Sequence, residues 1–270
     1  LIKKDVNVKV FPRQNYSNIK EVEGVEVLNL KFNTKLINKY SFLKQISWVF
    51  NIIFYALKNQ KNIAVVHVLG EGLTSVILSI VSKLINKPII VKRVIAETNV
   101  SNISFKKNIL KKFSYPIAIS NEIYDQFVRE GYNQNEIISI PNGVDVKSFS
   151  PAKDEKTKIK IRENMGLFKD DFIAAHVGLI SKRKGIDTLI YSWEKFLEHE
   201  KNAKLLLIGP TKDIPFYESI MDYINEKKLN ENIIFLGNIN EVNEYLKLID
   251  IFIFPSEKEG LPNALMEAMS

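Results

Sequence analysis

Phe172-Ile173-Ala174-Ala175-His176-Val177-Gly178-Leu179-Ile180-Ser181-Lys182-Arg183-Lys184-Gly185 is the stretch that decides the fold. Its first six residues are nearly all apolar and lack the strict alternation of a half-solvated strand. They read as a strand covered on both faces. Gly178 ends it, a polar loop follows, and Ile186–His199 carries apolar residues at helical spacing. The same order then returns. Ala203–Ile208 stops at Gly209-Pro210 before a helix over Tyr217–Lys228. Ile233–Leu236 stops at Gly237 before a short helix over Val242–Leu248. Ile251–Phe254 stops at Pro255-Ser256. Buried strands alternating with helices predict an α/β, doubly wound parallel sheet, in which ligands bind beyond the carboxyl ends of the strands.

Working towards the N-terminus, the alternation continues. Val6–Val10, Val25–Leu30, Ala64–Leu69, Pro88–Val94 and Ile117–Ser120 read as strands; Phe42–Leu57 and Leu73–Ile85 read as helices. Ser120 is placed to cap a helix over Glu122–Glu130. Lys106, Lys107, Lys111 and Lys112 with Ile109, Leu110 and Phe113 make a basic amphipathic helix, whose membrane reading stands beside that of a solvated face. Pro141-Asn142-Gly143-Val144-Asp145 has turn chemistry, and Ser150–Lys156 is polar and aperiodic. A boundary is therefore expected near residues 146–155, dividing the chain into 1–148 and 149–270.

The 270 residues are 46% hydrophobic and 26% charged, enough to build the cores of two ordinary domains. The absence of cysteine excludes a disulfide framework, an iron–sulfur cluster and a thiolate zinc site. No signal-peptide pattern is visible. The longest apolar run, Ile46–Leu57, is broken by Ser47 and Asn51 and predicts a helix packed on a sheet, not a membrane span. Cytoplasmic residence is expected, with peripheral contact at the inner face of a membrane. The net charge of +7 is uneven: residues 1–150 hold 21 Lys and Arg against 11 Asp and Glu, whereas residues 151–270 hold 17 against 20. A basic first half suits anionic lipid or a phosphorylated acceptor. No zinc-finger, RNA-binding or homeodomain pattern accompanies it, so nucleic acid is not an expected partner.

Two constellations carry chemistry. In Gly178–Gly185, three successive cations, Lys182, Arg183 and Lys184, precede a helix, which suits a diphosphate; a solvated basic loop is the plainer alternative. Neither a Walker loop nor Gly-x-Gly-x-x-Gly occurs in the chain. In Pro255–Met269, Gly260 permits a tight turn and Pro262 suits a first helical turn. The N–H groups of Leu261, Asn263 and Ala264 are then free for a ligand. Glu259 and Glu267 stand eight residues apart, and a carboxylate accepts hydrogen bonds from sugar or ribose hydroxyls.

The spacing of Glu259 and Glu267 resembles the glutamate, seven residues, glutamate motif of the retaining family-four, or group 1, glycosyltransferases. Val177-Gly178 with Lys184-Gly185-Ile186-Asp187, then Leu206–Gly209, then Phe235–Gly237 resemble the family's donor-domain pieces in order. Ile119–Glu122, Ile140–Asp145 and Val65–Val68 resemble pieces of its first domain and hinge. The resemblance implies two Rossmann-like domains facing across a cleft, of GT-B type, both incomplete here because further strands are expected before Leu1 and after Ser270. It implies a nucleotide-sugar donor, a glycan or lipid-linked acceptor, and transfer with retention of configuration, without cofactor or metal. It places Lys184 on the donor phosphates, Glu259 on the transferred sugar and Glu267 on the ribose. Gly178, Arg183, Gly260, Leu261 and Asn263 complete the donor site. Two positions depart from the family pattern. Leu179 stands where an arginine is usual, leaving Arg183 or Lys182 as the second cation. Lys92-Arg93 occupy a loop where many members carry histidine. His67 and His176 are expected in the core and His199 at a surface. The competing readings are a nucleotide-sugar epimerase or hydrolase on the same fold, and a non-catalytic nucleotide-sugar binding module.

Overall fold

The structure is a computed structural model and describes residues 7–12, 21–22, 25–28, 41–95 and 104–270; for 41–45 and 104–106 it describes backbone only. Parts of the expected strands Val6–Val10 and Val25–Leu30, and the side chain of Lys106, lie outside the described residues. The chain forms two compact units. One comprises residues 1–93, 98–117 and 130–138. The other comprises 94–97, 118–129 and 139–270.

In the first unit, β1 (Lys9–Val10) pairs parallel with β3 (Val25–Val27), which pairs antiparallel with β2 (Glu21–Val22). Helix α1 (Ser41–Lys58) precedes β4 (Val66–Leu69), α2 (Leu73–Leu84), β5 (Ile89–Lys92), α3 (Ser104–Phe113) and β6 (Tyr115–Ala118). The chain then runs through α4 (Asn121–Arg129), which belongs to the second unit, to β7 (Ile138–Ser139). The four later strands lie in the order β4-β5-β6-β7. Ile89 and Val91 of β5 pack with Ile52, Val76, Leu78, Ile109 and Leu110 from the three helices. None of the described helices is long and apolar enough to cross a membrane. His67 departs from expectation: among the described residues β4 is an edge strand, and the imidazole lies exposed instead of in the core.

Beyond α4, the second unit continues with α5 (Glu155–Asn164). The sequence reading passed over this helix because its composition is polar; Asp154 starts it, its carboxylate accepting from the Thr157 N–H at 2.7 Å. Then follow β8 (Phe172–Val177), α6 (Ile186–Phe196), β9 (Ala203–Ile208), α7 (Ile214–Glu226), β10 (Ile233–Gly237), α8 (Val242–Leu248), β11 (Ile251–Phe252) and α9 (Asn263–Met269). All four strands are parallel, in the order β10-β9-β8-β11. Successive side chains point to opposite faces of a strand, and both faces here are covered. Ala174, Leu205, Leu207 and Ile233 join one core with Ile186, Ile190 and Trp193. Ile173, Ala175, Leu206 and Ile208 join the other with Leu167 and Leu248. Each buried Leu or Ile here contributes about 1.5–3 kcal/mol, which is why the strands read as largely apolar runs.

Candidate functional site

The strand order of the second unit locates the site. The chain adds β9 and β10 on one side of β8 and then returns to place β11 on the other. At such a reversal the loops following the two neighbouring strands part and leave a crevice at their carboxyl ends. Here those loops are Gly178–Gly185, after β8, and Pro255–Pro262, after β11. The first tightens into a 3-10 turn over Lys182–Lys184 and ends at Gly185, whose φ is 69°. A Cβ at Gly185 would lie 2.5 Å from the Pro255 carbonyl oxygen, so glycine is what lets the two loops meet.

Where they meet, three side chains converge on one carboxylate oxygen of Glu259. Lys184 Nζ donates to Glu259 Oε1 at 2.5 Å, Ser256 Oγ donates to the same oxygen at 2.6 Å, and Arg183 Nη1 donates to it at 3.1 Å. The Arg183 guanidinium also donates to the Lys258 carbonyl at 3.1 Å, and the Lys184 ammonium sits 5.2 Å above the centre of the Phe254 ring. Lys184 and Glu259 are 12% and 20% exposed and Arg183 is 45% exposed, so the first pair is the less screened. Burial on its own would raise the Glu259 carboxyl. Hydrogen bonds from Lys184 and Ser256 and the charges of Lys184 and Arg183 outweigh it, holding the group below its ordinary range and ionised at neutral pH.

Beside this cluster the backbone closes tightly. Gly178 N–H donates to Ile208 O, and a Cβ on Gly209 would stand 1.9 Å from the Gly178 carbonyl oxygen. His176, fully buried one residue before the end of β8, packs its ring 5.9 Å from that of Phe254 and contacts Ile253 O through Nδ1 at 3.1 Å. Burial chiefly, with the Lys184 charge adding to it, depresses its pKa, so the ring is neutral near pH 7.

Of the residues expected from sequence, the structure brings Gly178, Arg183, Lys184, Glu259 and Gly260 to this one crevice. Leu261 and Asn263 lie just beyond, at the start of α9, where Asn142 Nδ2 donates to Leu261 O at 3.1 Å and to Asn263 Oδ1 at 2.9 Å. Glu267 is half-buried within α9 and is not part of the Lys184 cluster; burial alone raises its carboxyl. Three residues escaped the sequence reading as members of the site. Ser256 was seen only as a strand terminator, Asn142 only as part of a turn, and His176 only as core. A serine three residues before Glu259 is the sole local signal among them.

In the first unit, Arg93, which stands in the loop where histidine was anticipated, is turned into the protein. Its guanidinium donates to Glu71 Oε2 through Nε at 3.0 Å and Nη2 at 2.8 Å, and to Glu130 Oε2 at 2.7 Å, with Lys107 Nζ 3.5 Å from the other Glu130 oxygen. The Arg93 and Glu71 side chains are almost wholly buried. Of the lysines on α3, Lys107 therefore serves this cluster, Lys111 lies over the Tyr132 ring at 5.9 Å, and Lys112 is exposed.

This parallel α/β unit thus gathers two cations and a carboxylate at its strand reversal, chemistry suited to an anionic, hydroxyl-bearing ligand. Comparison with known proteins gives the class. Residues 157–270 match the family described as Glycosyl transferases group 1. An uncharacterised glycosyltransferase of Methanocaldococcus jannaschii is 30% identical over 137 residues, 51% of this chain and 32% of that protein. The UDP-Gal:alpha-D-GlcNAc-diphosphoundecaprenol alpha-1,3-galactosyltransferase of Escherichia coli is 28% identical over 163 residues, 57% of this chain and 40% of that protein. The chain thus matches about a third to two fifths of the length of these relatives. Among solved structures, Anabaena HepE in complex with UDP-glucose superposes with a TM-score of 0.72 over 91% of this chain and 65% of that one, at 17% identity. That likeness shows the α/β fold of the GT-B glycosyltransferases.

Proposed function

We propose that the complete protein transfers a sugar from a nucleotide-sugar donor to a glycan or lipid-linked acceptor with retention of anomeric configuration, in the synthesis of bacterial surface polysaccharide or lipopolysaccharide. One observation carries the reading: Lys184 and Glu259, from the loops after β8 and β11, meet at the strand reversal of a unit that matches the group 1 glycosyltransferases. Support for the donor and acceptor classes comes from HepE, solved with UDP-glucose, and from the E. coli relative, named for UDP-galactose and a diphosphoundecaprenol-linked sugar. Retention is carried over from the resemblance of the Glu259–Glu267 spacing.

In this reading Lys184 leaves Glu259 for the donor diphosphate, with Arg183 as the second cation. As the bond from the anomeric carbon to the phosphate oxygen breaks, the two cations stabilise the charge gathering on the leaving diphosphate. Ionised Glu259 stabilises the positive charge developing on the sugar. The acceptor oxygen attacks from the face the diphosphate vacates and gives its proton to the departing phosphate. Glu267 accepts from the ribose hydroxyls, and the Gly178 loop and the backbone over Gly260–Asn263 pack against donor sugar and phosphates. Fixed side-chain cations take the place that a metal ion fills in other transferases. The reaction is placed in the cytoplasm, with Lys112 and its neighbours on α3 resting against an anionic membrane face.

The test is turnover by the complete protein with UDP-, GDP- and ADP-sugars, with the anomeric configuration of the product read by NMR. Acceptor-dependent release of nucleoside diphosphate and a product of the donor's own configuration are expected. Release unaffected by acceptor would make the protein a hydrolase, and an inverted product would end the retaining assignment.

A further inference from the structure

His176 carries an unmet hydrogen-bonding group in the middle of the donor crevice. Its Nδ1 faces the Ile253 carbonyl, which only accepts, so Nδ1 holds the proton and Nε2 is a lone-pair acceptor. Nε2 is buried and has no partner. A polar atom left so in a protein interior costs about 1–3 kcal/mol, and such atoms call for an explanation. Its direction is informative. The point where a Cβ on Gly178 would stand lies 3.1 Å from Nε2 and 3.9 Å from Lys184 Cε, so the ring nitrogen and the lysine stem share the space that glycine leaves open. Phe254 lies beside both the His176 ring and the Lys184 ammonium. Ser181 Oγ, on the same loop, is likewise buried without a partner. The loop therefore holds acceptors that the Lys184–Glu259 arrangement does not use.

We propose that His176 is a positioning residue for Lys184: when the ammonium leaves Glu259 for a nucleoside diphosphate, His176 Nε2 accepts one of its three N–H groups and fixes the other two towards phosphate. This rests on the donor-site reading above. The Ile253 contact sets the ring and its tautomer, Phe254 backs it, and burial keeps it neutral, which an acceptor must be.

The experiment is side-chain ¹⁵N NMR of the complete protein titrated in turn with UDP, GDP and ADP. The nucleotide that binds moves the His176 Nε2 resonance upfield, as hydrogen bonding to its lone pair requires, while Nδ1 stays protonated. In Lys184→Met the Nε2 shift is lost. His176→Phe, which keeps the stacking on Phe254, lowers kcat/KM for the donor roughly tenfold, as expected for one hydrogen bond to a charged group. Binding without movement of Nε2 overturns the proposal and leaves the donor site standing. Absence of binding by all three nucleotides to a folded protein overturns both.

Discussion

The Lys184 ammonium lies 2.5 Å from the Glu259 carboxylate, joining residues 75 positions apart in the chain. Lys184 helps to hold Glu259 ionised, and in the function proposed above a charged sugar donor would compete for both. A double-mutant cycle on Lys184→Ala and Glu259→Ala measures their coupling in the free protein. A value of about 1 kcal/mol is expected by urea unfolding, between the ranges for exposed and buried pairs. Coupling near zero would mean that water screens the pair.

Acid should loosen the second unit through Asp250. Burial alone would raise its carboxyl, but hydrogen bonds from Lys158, the Ile173 N–H and Arg162 bring it below the ordinary value. A carboxyl depressed on folding contributes stability that is complete above its unfolded pKa, near 3.8, and is lost as pH falls through the lower folded value. Asp250→Asn should therefore flatten the fall in stability below about pH 4 and leave a deficit at pH 7. An acid limb unchanged from that of the wild type would contradict this.

Arg162 itself is buried and also donates to Leu248 O, Lys169 O and Asp171 O. Asp250→Ala strands this guanidinium, a loss of about 3–5 kcal/mol in chemical denaturation. Arg93 forms the corresponding pin in the first unit: Arg93→Met strands Glu71 and should cost a similar amount, about 3 kcal/mol. Arg93→Lys, which keeps the charge but not the fork, should cost less.

Glycine at 209 is tested by contrast. Gly209→Ala places a Cβ against the Gly178 carbonyl at a φ of +145° and should destabilise by several kcal/mol, on the order of the larger backbone effects known. Gly143→Ala has nothing within 4 Å and should lie within about 0.5 kcal/mol of wild type in the same melt.

Membrane contact is measured with vesicles. Lys112→Glu should weaken sedimentation of the complete protein with anionic vesicles, by about 1–2 kcal/mol for a reversed charge at the surface, and have no effect with neutral ones. Equal sedimentation of variant and wild type would remove α3 from the contact.

The alternation of strands and helices was legible because buried parallel strands must be apolar throughout. Val242–Leu248 was read at its observed bounds. The strand expected at Ile117–Ser120 instead runs Tyr115–Ala118, where Tyr115–Ile117 pair with Ile90–Lys92 of β5. The helix Glu155–Asn164 was illegible. Its outward face is polar, and its anchor, Arg162, finds Asp250 only in the folded chain, 88 residues away. Within the site, Lys184 and Glu259 stood out because each falls just after a strand. The contribution of Asn142 depends on the fold bringing distant loops together, which no sequence period records, whereas Ser256 bonds Glu259 within its own loop. His67 misled because a histidine within an apolar run reads as core, whereas among the described residues β4 lies at the sheet's edge.

The most direct test is calorimetric binding of UDP-, GDP- and ADP-sugars to the complete protein, with Lys184→Ala and Glu259→Ala alongside. One donor should bind wild type, and each substitution should weaken it at least tenfold, about 1.4 kcal/mol. A folded wild-type protein that binds none of them, or variants that bind as tightly as wild type, would contradict the assignment of this crevice as a sugar-donor site.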